Sequence, residues 1–275
     1  MVEHPSVVRS IWLVARRELT ASRSSFLAWA LPLSGLVALV ASIQPQAAGD
    51  GGVLAAKLAL MPEAMKQAFN LAGAELSRPA GYLAANFITV TLGATVFAGL
   101  LGAGVMARED TQRTSEALLT LPVARWHVLA GKSLALLVLL AGFHALVAAA
   151  GLLSLARVVS GELEAPLLVS MFGGAALLSV LFAAVGLALG TFLSKARAAP
   201  GLSLGLVLGT WLVGTAAKLS PQTRDAAQWS PFALVDPQAI VREGGLSAQA
   251  LWLPALAAGL LIAAILWYER RDVHA

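Results

Sequence analysis

The sequence predicts an all-α integral membrane protein with six transmembrane helices, both termini in the cytoplasm, and a polar cytoplasmic insert between the second and third spans. Three observations carry this. Only 12% of the 275 residues are charged, about half of the roughly 25% typical of a soluble domain. The mean hydropathy is +0.78, and so few charges cannot coat a globule, which makes lipid the solvent. Six apolar runs contain no Asp, Glu, Lys or Arg: 26–43, 82–106, 133–156, 166–193, 198–217 and 250–268. Loop charge, finally, is unevenly divided between the two sides those runs define.

The shortest run reaches about 27 Å as a helix, enough for a bilayer core, and the longest must tilt, kink or protrude. Backbone polar groups in lipid need internal partners, which selects helices. The barrel alternative needs segments of about ten residues with alternating polarity, and none is present. One side collects Arg9, Arg16, Arg17, Arg23, Arg108, Arg113, Arg125, Lys132, Lys195, Arg197, Arg270 and Arg271, against seven basic residues on the other. The richer side is assigned to the cytoplasm. The net charge of +4 then reflects topology rather than nucleic-acid binding. Cysteine is absent, which excludes disulfides and thiolate chemistry.

Before the first run, Val7, Val8, Ile11, Trp12, Val14, Ala15 and Leu19 fall on one helical arc, and Arg9, Arg16, Arg17, Thr20 and Arg23 on the other. Leu13 and Glu18 break the pattern. This is an amphipathic helix for the cytoplasmic headgroup layer, with Arg9, Arg16 and Arg17 toward anionic lipid and Trp12 among its apolar residues. That pattern favours a retained segment over a cleaved signal peptide. Of the outer loops, 44–81 holds Leu58, Met61, Met65 and Phe69 at helical spacing, a short amphipathic helix. The loop 218–249 is broken by Pro231 and Pro237, with Trp229 as an interface anchor. No soluble domain fits, so residues 1–275 form one membrane domain.

The spans offer little chemistry. The four histidines have no partner at metal-ligand spacing, and no carboxylate lies in a span, where ion-coupled carriers usually need one. The ionisable side chain deep in a span is His144. It reads either as a neutral imidazole hydrogen-bonded to a neighbouring helix or as part of a substrate or proton path, with Asn86 a weaker polar candidate. The Gly-Lys-Ser at 131–133 lacks the earlier glycine of a phosphate-binding loop, since position 126 is Trp, so no nucleotide, metal or other cofactor is expected in this chain. Gly186 and Gly190, and Gly201, Gly205 and Gly209, form GxxxG steps. Such faces either pack within one subunit or join two copies.

The insert 107–132 changes character along its length. Glu109 and Asp110 suit the start of a helix, Arg113 and Glu116 follow one turn apart, and Leu118, Leu119 and Leu121 precede Pro122 and Arg125. The first part is built to meet an aqueous or protein surface and the second to lie against the membrane, an order that a solvated linker does not need.

At these residues the sequence resembles the membrane subunits of type-2 ABC exporters. Their first cytoplasmic loop runs through acidic residues, Gly-Thr, an acid, a leucine pair, Pro-Val-Ser-Arg and a closing Gly-Lys. Here "EDTQRTSEALLTLPVARWHVLAGK", 109–132, matches at Thr114, Glu116, Leu118-Leu119, Pro122-Val123, Arg125 and Gly131-Lys132. Arg113 stands where the family has Gly, and Ala124 where it has Ser or Thr. "MPEAMKQAFNL" before span two and "SPFALVDP" before span six are similar more loosely. The resemblance implies a permease subunit working with two ATPase subunits that bind ATP and Mg, and with a second permease, the same or related. It implies a coupling helix near 109–119, docked on an ATPase through Glu109, Asp110, Arg113, Thr114, Glu116, Leu118, Pro122 and Arg125. The alanine- and glycine-rich composition points to a bacterial plasma (inner) membrane. Two alternatives stay open: an autonomous carrier, and an ATPase-coupled assembly or mechanical factor that moves no solute.

Overall fold

The computed structural model describes residues 7–49, 56, 57, 59–68, 71, 74–112, 125–159, 163–193, 195–219 and 222–270. All regular structure among them is helical, as expected of a chain whose backbone must satisfy itself in lipid. The helices are α1 (Val7–Ala21), α2 (Arg23–Gly49), α3 (Glu63–Ala68), α4 (Pro79–Gln112), α5 (Arg125–Val158), α6 (Ala165–Phe192), α7 (Ala199–Lys218), α8 (Arg224–Ala227), α9 (Pro237–Glu243) and α10 (Trp252–Arg270). Six of them (α2, α4, α5, α6, α7 and α10) are long and apolar enough to cross a membrane. They contain the six apolar runs apart from a few terminal residues. Ends are called inner and outer below after the loop-charge asymmetry.

The bundle is organised around α4 and α6, which run parallel from the outer to the inner end. Their spans are 61% buried by the chain itself, against 22% for α2, α7 and α10, so the latter three form the periphery. Small residues explain how close the central pair comes. A Cβ on Gly102 would run into the Ala183 carbonyl oxygen, and one on Gly186 into the Gly99 carbonyl oxygen. A Cβ on Gly190 would sit 2.6 Å from Met106 Cβ. In lipid this backbone approach supplies the dispersion contacts that the hydrophobic effect cannot.

Aromatic rings tie α2 and α5 to this pair. Trp29 lies 6.2 Å from Phe97, which stacks on Phe143 at 4.7 Å, and Phe26 meets Phe143 edge-on at 6.5 Å. Nearer the outer end, Phe87 of α4 and Phe172 of α6 meet edge-on at 4.9 Å.

The outer segment before α10 folds back into the bundle. Ser230 Oγ donates to the Thr210 carbonyl at 3.1 Å, eight residues and thus about 12 Å below the outer end of α7. Gly214 of α7 leaves room for Ser230, whose Oγ would otherwise lie 2.6 Å from a Cβ. Pro237 opens α9, and the Asp236 side chain accepts from the Gln238 amide at 3.0 Å, an N-cap with proline at N1. Gly244 closes it with φ 80, a left-handed cap that glycine adopts without a Cβ penalty. The prolines thus divide the loop as its sequence requires, and Trp229 is 85% exposed. In the other outer loop, α3 pairs Lys66 with Glu63 at 3.6 Å, while Leu58 and Phe69 lie outside the described residues.

Candidate functional site

The functional geometry gathers where α1, the end of α4 and the start of α5 meet. Helix α1 does not lie free on a surface. Ser10, Ala15 and Glu18 on one face are buried, and Gly131 of α5 is what admits that face. A Cβ there would come within 2.7 Å of both the Ile11 carbonyl oxygen and Val14 Cβ. Val8 and Trp12 stay exposed on one flank, and Arg9, Arg16 and Arg17 are exposed on another, with Leu13 exposed among them. The helix therefore has three faces, one on protein, one apolar and outward, and one basic.

Glu18, which the amphipathic pattern leaves unexplained, is the connector. Its Oε2 accepts from Arg108 Nη2 at 3.1 Å, and the same nitrogen donates to Ser22 Oγ at 3.1 Å. Glu18 is 5% exposed and Ser22 fully buried. Burying that carboxylate is tolerable because it is paired and hydrogen-bonded. The Ser22 amide donates to the Glu18 carbonyl at 3.0 Å and the Phe26 amide to the Ser22 carbonyl at 2.9 Å, so helical bonding carries through the junction of α1 and α2. Lys132 completes the cluster. It is 0% exposed, and its Nζ donates to the Val105 carbonyl at 2.9 Å. The Gly131-Lys132 pair, which resembles the close of the exporter loop, therefore works as a staple: the glycine seats α1 and the lysine holds α4.

Helix α4 itself runs four residues past Arg108, to Gln112. Glu109 and Asp110 thus continue the helix of the second span. The expectation that they open a separate helix is corrected here: the apolar span and the first acidic residues share one uninterrupted run of helical bonds, which no proline or glycine interrupts after Gly104. Arg113, Thr114, Glu116, Leu118 and Pro122 lie outside the described residues, and Arg125 is the first residue of α5.

The remaining candidates separate. Gly186 and Gly190 belong to the α4–α6 seam. Gly201, Gly205 and Gly209 have nothing within 4 Å of a built Cβ, so this face of α7 is open. His144 is 8% exposed, lies edge-on to Phe143 at 5.2 Å, and its Nε2 has no hydrogen-bond partner among the described residues. Asn86 is exposed and donates to the Tyr82 carbonyl of its own helix at 3.0 Å. No hydrogen bond or ring contact among the described residues joins the two. Thr91, Thr95 and Thr191 likewise donate to carbonyls four residues back, whereas the buried hydroxyls of Ser34, Ser179 and Ser203 have no hydrogen-bond partner among the described residues. Among the described residues no three His, Asp or Glu side chains are grouped as a metal site would need.

A second polar cluster closes the outer end. Arg78 donates through Nε to Glu164 Oε1 at 2.9 Å and through Nη2 to the same oxygen, and it pairs with Glu75 at 2.5 Å. Glu164 Oε2 accepts from the Ala80 amide at 3.3 Å. Glu164 precedes α6 with φ 50, so its carboxylate caps α4 rather than its own helix. The hydrogen bonds that Arg78 donates to Glu164, and then to Glu75, hold its guanidinium pKa above the ordinary value. At the end of α7, Lys218 Nζ donates to Asp236 Oδ2 at 2.8 Å. Sequence reasoning missed Glu164, which carries no local signal, whereas Glu18 was visible as the acid on an apolar arc.

Six helices long and apolar enough to cross a membrane, four of them around the close-packed α4–α6 pair, define a multi-pass membrane protein. The family profile described as ABC-2 family transporter protein matches residues 12–238, and the chain belongs to that family. It is the permease component of an ABC-type transporter, a membrane component that is not itself the ATPase. No curated protein matches the chain.

Proposed function

We propose that the chain is an exporter permease whose cytoplasmic insert docks a separate ABC ATPase, two such subunits and a second permease, the same or related, completing the complex. The observation that carries this reading is the continuity of α4. Its helix leaves the apolar span, passes the Arg108–Glu18 and Lys132–Val105 anchors and enters the acidic start of the insert. A displacement of a docked insert would therefore reach α4 directly, and α6 through the glycine seam, because packed helices shift as units. Glu109, Asp110, Arg113, Thr114, Glu116, Leu118, Pro122 and Arg125 are the proposed docking residues, with ATP and Mg held by the partner.

The excess of basic residues at that end supports cytoplasmic termini in a bacterial inner membrane. The absence of Asp, Glu, Lys and Arg from the six apolar runs supports a lipid-like or amphipathic cargo, with His144 and Asn86 as candidate groups along its path.

The test is a mild-detergent pull-down of the tagged chain with identification of partners and an ATP hydrolysis assay. A stoichiometric phosphate-loop ATPase, lost when Glu109, Asp110, Arg113 and Glu116 are all changed to Ala, is the expected result. A chain that purifies alone even after crosslinking in the membrane would point to an autonomous carrier. Assembly and cargo-stimulated hydrolysis that survive the fourfold change would remove the docking assignment.

A further inference from the structure

Between α2 and α5 lies an open groove lined by Arg23, Phe26, Leu27, Val138, Leu139 and Gly142. Its volume is about 290 Å³, close to the lower bound of roughly 300 Å³ for small-molecule sites. Gly142 makes the groove: the nearest atoms to a Cβ there are the Phe26 ring carbons at 3.9 Å. Leu27 and Val138 on its two walls are about half exposed. The walls are apolar and the polar feature is Arg23, at the inner end of α2.

The charge around that end is basic. Arg16, Thr20, Arg23 and Leu27 recur at spacings of four, three and four along the helical run that continues through Ser22, which puts them on neighbouring turns of one stripe. Arg17 lies beside Arg16. The acid of this segment, Glu18, is buried and committed to Arg108 on the opposite side. Among the described residues no acidic side chain pairs with Arg16, Arg17 or Arg23. An apolar channel that ends in a set of guanidiniums with no acidic partner among the described residues matches one occupant, a molecule with a long apolar tail and an anionic oxygen-rich head.

We propose that the α2–α5 groove is a binding site for an anionic phospholipid of the inner leaflet, one acyl chain lying along Phe26, Leu27, Val138 and Gly142 and the phosphate meeting Arg23, with Arg16 next in line. Guanidinium suits phosphate through paired N–H donors, and a groove on an exposed helix pair can be filled from the bilayer without opening the protein. The site lies on the α1–α2 unit that also carries the Glu18 anchor, so bound lipid would steady the helix against which α4 is held. It requires only a bilayer and therefore stands whether or not an ATPase docks at the insert.

The experiment is native mass spectrometry of the full chain, with phosphatidylglycerol or phosphatidylcholine titrated into the detergent. The wild-type chain is expected to retain phosphatidylglycerol in preference to phosphatidylcholine. R23Q should cut retention of phosphatidylglycerol about fivefold, the effect of one basic residue at an anionic surface. G142F should cut retention of both lipids, because it fills the groove and leaves the arginines in place. If G142F does not fold, V138W obstructs the same groove from its exposed wall and is read in its place. Equal retention of the two lipids by the wild-type chain, or unchanged retention in R23Q and the groove-filled variant, would overturn the proposal. So would efficient crosslinking of V138C between two copies in native membranes, since the chain has no other cysteine and a second copy would then occupy the groove.

Discussion

Arg108 Nη2 stands 3.1 Å from Glu18 Oε2 across the α1–α4 contact, and through it the N-terminal helix grips the helix that leads into the polar insert. The two side chains differ in solvent access, 7% for Glu18 and 32% for Arg108. Removing the arginine strands a buried carboxylate, whereas removing the glutamate frees a group that water reaches. R108A should therefore cost more stability than E18A. The expected losses are about 3 and about 1 kcal/mol, the second discounted for the exposure of Arg108. Thermal unfolding of the detergent-purified chain measures both, and a double-mutant cycle should return a coupling of about 1 kcal/mol. Equal losses or zero coupling would make the contact incidental.

Lys132 gives a different signature. Its stem is buried and its ammonium reaches the Val105 carbonyl in the last third of α4. K132M keeps most of the volume and removes the donor, while K132A also opens a cavity. K132M should lower stability by about 1–2 kcal/mol and K132A by about 3. Hydrogen exchange should rise at the inner end of α4 in both variants, and the outer end should stay protected. Uniform loss of protection would mean that Lys132 supports the whole fold rather than this anchor.

Much of this architecture is legible in the sequence because lipid leaves a chain few options. An uncharged run longer than about 18 residues has to be a spanning helix, and each of the six runs is one. The prolines and glycine that divide 231–244 act through their own backbones, so they too are visible locally. What the sequence conceals is which helix meets which. Gly186 and Gly201 stand in equally good GxxxG steps, yet one is sealed against α4 and the other faces outward, a difference set by residues some 85 positions away. Glu164 is hidden for the same reason, since it caps α4 from the loop before α6. Acidic residues suit a helix N-terminus on average, whereas Glu109 and Asp110 continue α4, a continuity set by the span that precedes them.

The outer clamp should be insensitive to alkali. Because the Arg78 pKa is raised above its ordinary value by Glu164 and Glu75, its contribution is fully present below the unfolded value. It is lost only as pH rises through the still higher folded one. Both lie beyond the range in which a membrane protein is handled. The difference in melting temperature between the wild-type chain and R78Q should then stay constant from about pH 7 to about pH 10. A difference that shrinks over that interval would assign the effect to another group.

Two glycines test the division between core and open face. Any side chain at Gly186 meets the Gly99 backbone, and Ala103 N lies 2.7 Å from the Cβ position. G186L must therefore push α6 off α4 and should cost about 3 kcal/mol, the upper part of the overpacking range. At Gly205 nothing lies within 4 Å, so G205L should leave the melting temperature of the isolated chain unchanged or slightly raised, leucine being the better helix former. The same pair also addresses assembly. If the α7 face joins two permeases, G205L should weaken association of copies in crosslinking or light scattering while the fold persists, because bulk at a small-residue interface keeps backbones apart. If that face meets only lipid, G205L will change neither stability nor association, and the contact between permeases must be sought on another helix.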